Sequence, residues 1–295
     1  MWQEPNKQES LPEQRELIRN VVMLTESIRV QRKMQFQGVT HGEGKKFTQE
    51  ELSQTVYPSY KNLLLQATYR LPSRAALLQI ADYLECTLTQ RNELLVTAQY
   101  LPEAVQLEGA ALEDAVRKSI DLMHSLPFPA YVLAEACEVV AANQQFHAMS
   151  ALGDLYQLAR EERNPLHFLC NPELPIRERL TPSFAEWQEN VVCALTLFRE
   201  LTYLLRYESW YVELVRQAEK LPDFLKVWQS HDSKQHPTDS GTIDLEGYSP
   251  RFQKKVPVRL LAIRLTTAVL PVVIGVMPSN RSQNGVPAIS LVTMG

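Results

Sequence analysis

The chain has 295 residues, 45% of them apolar and 22% charged, ordinary proportions for a folded globular protein and a length that suits two domains. Its longest apolar run, residues 269–277, is interrupted by Pro271 and is far shorter than the roughly 20 residues that cross a bilayer, so neither a membrane span nor a membrane partner is expected. The formal charge of −4 is uneven: residues 1–75 carry 11 Lys+Arg against 8 Asp+Glu, and residues 76–295 carry 19 against 26, which suits a polyanion-binding module joined to a part that does not bind polyanions.

The first ten residues are polar, without the basic start and apolar core of a signal peptide, and read as a loose tail of a cytoplasmic protein. From 12 to 36, Leu17, Val21, Leu24 and Ile28 recur at helical spacing. Glycines at 38, 42 and 44 make a loop, after which Thr48 and Glu51 have the spacing of a capping box. A helix is expected from Pro58 to about Ala67. Another opens at Pro72-Ser73 and buries Ala76, Leu77, Ile80, Ala81 and Leu84, and a further one runs from Thr89 to Tyr100.

Beyond Leu101-Pro102 the character changes. A helix over 108–126 ends at Pro127 and Pro129, and two β-like runs follow at 130–133 and 138–142. Helices are expected at 144–149, 155–163, 182–203 and 211–230. Strands are expected at 241–245, 258–267 and 270–277, and then a tail. Two strands, a block of helices and three strands imply an α+β domain with one antiparallel sheet, the layout of PAS-type sensor domains. The domains are therefore placed at 1–104 (all-helical), 105–280 (α+β) and 281–295 (tail).

Several segments together resemble the MmyB-like family of bacterial transcriptional regulators, which join an XRE-type helix-turn-helix to a PAS-like ligand-binding domain. The N-terminal segments are FTQEEL at 47–52 and LPSRAALLQIADYL at 71–84. The ligand-domain segments are PFPAYVL at 127–133 with Asn143, RNPLHFL at 163–169, and FLKVWQSHD at 224–232. The resemblance implies a ligand-responsive regulator that binds double-stranded DNA as a homodimer. The chain departs from the pattern at Leu65 and Ala67, where the family has Glu and Gly at the end of the recognition helix, in a turn about two residues short, and at Ala142, where it commonly has Trp. The first departures motivate a second reading, in which a degenerate helix-turn-helix serves dimerisation or protein interaction without specific DNA binding.

For DNA, cationic and polar side chains must reach phosphates and base edges. Ser59, Tyr60, Lys61 and Asn62 open the expected recognition helix. Arg70 and Arg74 flank the next helix start, and Lys45 and Lys46 precede the motif. A ligand pocket needs an apolar concavity with few polar groups. Its candidate lining is Tyr131, Ala142 and Phe146 from the first strands and helix, and Trp187, Cys193, Leu197 and Tyr203 from the long helix. Phe224 and Trp228 would come from the last helix, with Leu225 and Leu221 extending their ridge, and Leu260, Ile263, Ile274 and Val276 from a sheet floor. The excess of apolar candidates suggests a lipid-like ligand, a fatty acid or acyl compound. Each of these residues serves equally well as core.

His231-Asp232 suggests a catalytic dyad or metal site, but chain neighbours do not normally face each other, and neither a serine elbow nor an HExxH motif accompanies them. A helix stop is the simpler reading, as is a helix N-cap for Asn143. The scattered cysteines Cys86, Cys137, Cys170 and Cys193 lack metal-ligand spacing and read as buried thiols. No cofactor, metal site or enzymatic activity is expected.

Overall fold

The spacing of apolar residues sets the first helix of the computed structural model, which describes residues 11–39, 46–65, 67–68, 70–176, 183–230, 242–249 and 254–279. Helix α1 (Leu11–Val39) buries Ile18, Val21, Thr25 and Ile28, a stripe offset by one residue at Ile18 and Thr25 from the expected Leu17 and Leu24. Helix α2 (Gln49–Glu51) is started by Thr48, whose hydroxyl accepts from Glu51 N at 3.0 Å, and runs into a π-helical turn, Leu52–Val56. That turn closes with Tyr57 N donating to Leu52 O at 2.9 Å. A π turn accommodates an extra residue per turn, and here it leads directly into the short link before α3 (Tyr60–Leu64). Helix α3 has five residues, shorter than the ten expected.

Ser73 caps α4 (Arg74–Tyr83), and a reciprocal capping box between Thr87 and Gln90 starts α5 (Leu88–Thr97). Ala76, Leu77, Ile80, Ala81 and Leu84 are buried, as their spacing implies. These elements fall in a compact unit, Met1–Val105, and the remainder in a second, Gln106–Gly295.

The second unit is built on a five-stranded antiparallel sheet of order β2-β1-β5-β4-β3. Its strands are β1 (Ala130–Leu133), β2 (Val139–Ala142), β3 (Thr242–Ser249), β4 (Lys254–Ile263) and β5 (Val272–Pro278). Side chains alternate between faces along each strand. On one face Ala130, Val132 and Val273 meet Met123 of helix α6 (Gly109–Ser125). On the other, Leu133, Val272 and Ile274 meet Phe146 of α7 (Gln144–Ser150), Phe168 of α8 (Pro165–Cys170) and Leu197 of α9 (Phe184–Thr202). Gly275 is required by close packing, since a Cβ there would lie 2.6 Å from the Phe128 ring.

Asn143 ties these layers together. Its side-chain oxygen accepts from Phe146 N at 2.9 Å, capping α7, and from Ala130 N at 3.0 Å on β1, while its amide donates to Phe128 O at 2.8 Å. At 2% exposure, this amide joins strand, helix and the end of α6 in one network.

Two expected helices are divided. Residues 155–163 form two 3-10 turns, Leu155–Gln157 and Arg160–Glu162. Residues 211–230 split into α10 (Ser209–Ala218) and α11 (Phe224–Gln229), separated by Asp223 at φ 65°. The left-handed residue, uncommon for a non-glycine, turns the chain so that Leu225 points outward at 44% exposure rather than extending the Phe224–Trp228 ridge.

Candidate functional site

The second unit contains an apolar cavity of about 140 Å³ on the inner face of the sheet. One wall is a single stripe of α9, in which Trp187, Asn190, Val191, Ala194, Leu197 and Leu201 recur at intervals of three and four residues. Alternate residues Val256, Val258 and Leu260 of β4, with Ile274 and Val276 of β5, form the floor. Tyr131, Phe146 and Phe168 also border it, the Tyr131 and Phe146 rings lying 4.9 Å apart.

Among the described residues no side chain lining this cavity is charged. The Trp187 indole N–H donates to Leu169 O at 3.0 Å. The Tyr131 hydroxyl makes no hydrogen bond to another described residue. Burial pushes its proton affinity far above that of an ordinary phenol, so it is a neutral donor and acceptor at any physiological pH. The site can therefore hold an apolar body, with neutral polar side chains at Tyr131 and Asn190.

Of the expected lining, Tyr131, Phe146, Trp187, Leu197, Leu260, Ile274 and Val276 border the cavity. The others stand elsewhere. Ala142 is paired with Tyr131 across β1 and β2 and packs on the core beside the cavity. Cys193 is buried in that core, one position from the lining residue Ala194. Ile263 is three residues from Leu260, an odd spacing on a strand, and so faces α6 on the opposite side of the sheet. Tyr203 lies past the end of α9, half exposed, with the Arg206 guanidinium 3.7 Å from its ring centroid.

Phe224 and Trp228 do form a ridge, stacked at 5.1 Å, but behind the cavity wall. They belong to a cluster with Val192 and Leu195 of α9 that also includes Trp187, Val191 and Phe198, which border the cavity from the same helix. Arg199 lies 4.0 Å over the Trp228 ring and donates to its carbonyl. The alternation of β4 and the full stripe along residues 187–201 were the signals that could have revealed the lining residues Val256, Val258, Ala194 and Leu201.

In the helical unit, Ser59, Lys61, Asn62, Arg70 and Arg74 are exposed. Tyr60 is not: it is 1% exposed and its hydroxyl donates to Glu26 of α1 at 2.6 Å. The same carboxylate accepts from Gln49 at 2.7 Å and from two nitrogens of Arg29, while Arg29 donates to Phe47 O at 2.9 Å. Tyr60 is thus a post fixing α3 to α1, because a helix of only five residues needs such an anchor. Lys46 is occupied by Glu85 at 2.5 Å and lies over the Phe47 ring. Lys45, His231 and Asp232 lie outside the described residues.

Among the described residues no helix is long and apolar enough to cross a membrane. A mixed helical and antiparallel-sheet domain with an apolar compartment defines the class of the second unit. Residues 114–250 match the family model of the MmyB-like transcription regulator ligand binding domain, and this segment is a domain of that family. The match ends before β4, so the cavity floor from Val256 to Val276 lies beyond it. No curated protein sequence matches the chain.

Proposed function

We propose that the protein is a ligand-responsive, DNA-binding transcription regulator rather than an enzyme, acting in the cytoplasm as a homodimer. The apolar cavity, walled in part by the segment that matches the MmyB-like ligand binding domain, is the observation that carries the reading: it is where an apolar, lipid-like molecule would lie. Ser59, Lys61 and Asn62, exposed at α3, with Arg70 and Arg74 before and within the start of α4, would supply phosphate and base contacts. The proposed domain limits are 1–104, 105–280 and 281–295. Ligand occupancy acts by binding one arrangement of the protein more tightly than another.

The test is fluorescence anisotropy of genomic DNA fragments titrated with the full chain over a range of salt. A regulator gives a log–log salt slope of about −0.9 per phosphate contacted, and a Lys61→Ala and Arg74→Ala double variant makes that slope about two contacts shallower. No association at low salt sinks the DNA half of the proposal.

The second reading, a dimerisation or partner-binding helical unit, is favoured by the brevity of α3 and the burial of Tyr60, which leave fewer side chains to read a groove. Sedimentation of the full chain with and without DNA separates the two, since this reading gives a dimer that ignores DNA.

A further inference from the structure

We infer that helix α1 pairs with the α1 of a second copy of this chain, antiparallel, along a seam on its outer face. The inference rests on the homodimer of the reading above and names the surface that makes it. The seam is Asn20, Met23, Ser27, Val30, Met34 and Gln37, which recur at alternating intervals of three and four residues, as the contact positions of paired helices do. All six are exposed, Met23 at 60% and Met34 at 67%.

The placing of charge distinguishes this face. A surface helix normally turns its charges outward. From Asn20 to Gln37 the reverse holds: every exposed residue of α1 is uncharged, while Glu26, Arg29, Arg32 and Lys33 are buried or half-buried. Glu26 and Arg29 engage Tyr60 and Phe47 O, and Arg32 donates to Glu85 O at 2.8 Å. A face without charge over about five turns offers nothing to phosphates, and its apolar side chains gain by leaving water against a face of the same kind.

The order of residues along the seam selects the partner. Read from either end it runs amide, methionine, two short residues, methionine, amide. A two-fold axis midway between Ile28 and Arg29 therefore sets Asn20 against the partner's Gln37, Met23 against the partner's Met34 and Ser27 against the partner's Val30. Amide then meets amide, and the small Ser27 leaves room for Val30. The same register brings the exposed Arg19 beside the last turn of the other α1, the negative end of that helix, which carries no basic residue of its own. Parallel pairing would instead align the two helix dipoles and stack Ser27 on Ser27.

Six seam residues a side are far fewer than the roughly 20–30 of a stable interface, so the pairing is weak by itself. Sedimentation of the full chain over about 1–300 μM is expected to show a reversible monomer–dimer equilibrium. Val30→Glu brings two carboxylates close to the axis and is expected to weaken dimerisation roughly tenfold or more, with the thermal midpoint of the exposed-site variant unchanged. Cysteine pairing fixes the direction, the four native thiols being buried. Positions 23 and 34 are about 16 Å apart along one helix, too far for a disulfide within a chain. The Met23→Cys and Met34→Cys double variant is expected to form disulfide-linked dimers under mild oxidation, and neither single variant is. Single variants that cross-link as readily as the double, or a dimer indifferent to Val30→Glu, overturn the inference while the homodimer stands. A chain that stays monomeric throughout overturns the homodimer as well, and the seam is then covered by something other than a copy of the chain.

Discussion

The interiors of the two units use polar groups to different extents. In the helical unit charges are taken inside and matched: Glu26 gathers Arg29, Gln49 and Tyr60, and Arg91, at 2% exposure, pairs with Asp82 and with Glu103 at 3.2 Å. Short helices cannot bury enough apolar surface to fix their own positions, and hydrogen-bonded ion pairs supply directionality that apolar contacts lack. In the second unit the sheet and α9 are extensive enough to be positioned by apolar packing, and the described lining of the compartment between them is uncharged, with Tyr131 and Asn190 as its polar side chains. The matching in the helical unit is not complete, since the Nε atoms of Arg32 and Arg91 are buried without a hydrogen-bond partner among the described residues.

The comparison breaks first at Glu26. Glu26→Ala leaves the Arg29 guanidinium, part of a residue only 8% exposed, without its countercharge. Losing one partner of a buried pair costs about 3–5 kcal/mol, so urea unfolding of this variant should show the helical unit melting early while the second unit keeps its midpoint. A loss below about 1 kcal/mol would mean that the pair is no more than a surface salt bridge. Asn143→Ala tests the second unit, from which it removes a buried polar knot. Two backbone N–H groups, those of Ala130 and Phe146, lose their acceptor, and with about 1–3 kcal/mol for an unsatisfied buried group the expected destabilisation is about 2–4 kcal/mol by the same measurement.

Acid sharpens the same contrast by a smaller amount. Burial raises the Glu26 carboxyl, but hydrogen bonds from Arg29, Tyr60 and Gln49 outweigh it and hold the group below the ordinary carboxylate range. A group depressed on folding contributes stability that is complete above its unfolded pKa, near 4.5, and is lost as pH falls through the folded value. The helical unit should therefore weaken progressively below about pH 4.5, and Glu26→Gln should flatten that part of the curve. An unchanged acid slope in the variant would assign the proton uptake to other carboxylates.

Elements with strong local chemistry were legible in the sequence. Ser73, Thr48 and Asn143 all cap as their spacing implies, and the apolar stripe of α4 is buried as read. What escaped depended on long-range packing. The positive φ of Asp223 has no apolar pattern to announce it, so Phe224–Trp228 read as the end of a longer helix and its ridge as a pocket wall. Tyr60 looked like a groove-reading residue because it heads α3, and only its pairing with Glu26, 34 positions away, reveals it as an anchor. Ile263 was a different kind of miss. Its parity against Leu260 was in the sequence, and strand alternation alone would have excluded it from the floor.

The smallest expected effect on stability bears most directly on the cavity. Ala194 lies on the cavity stripe of α9, between Val191 and Leu197. Ala194→Leu adds three carbons into space that is already open, so it loses no contact and gains some; filling a void changes stability by about 0.5–2 kcal/mol in the favourable direction where the new rotamer fits, and by a comparable loss where it crowds. Either way the midpoint moves little, whereas toluene, a small apolar probe of the cavity, should lose on the order of tenfold in affinity in a ligand-observed NMR titration, because the room it needs is occupied. A variant that fills the stripe and still binds toluene as the unaltered chain does would show that the guest lies elsewhere.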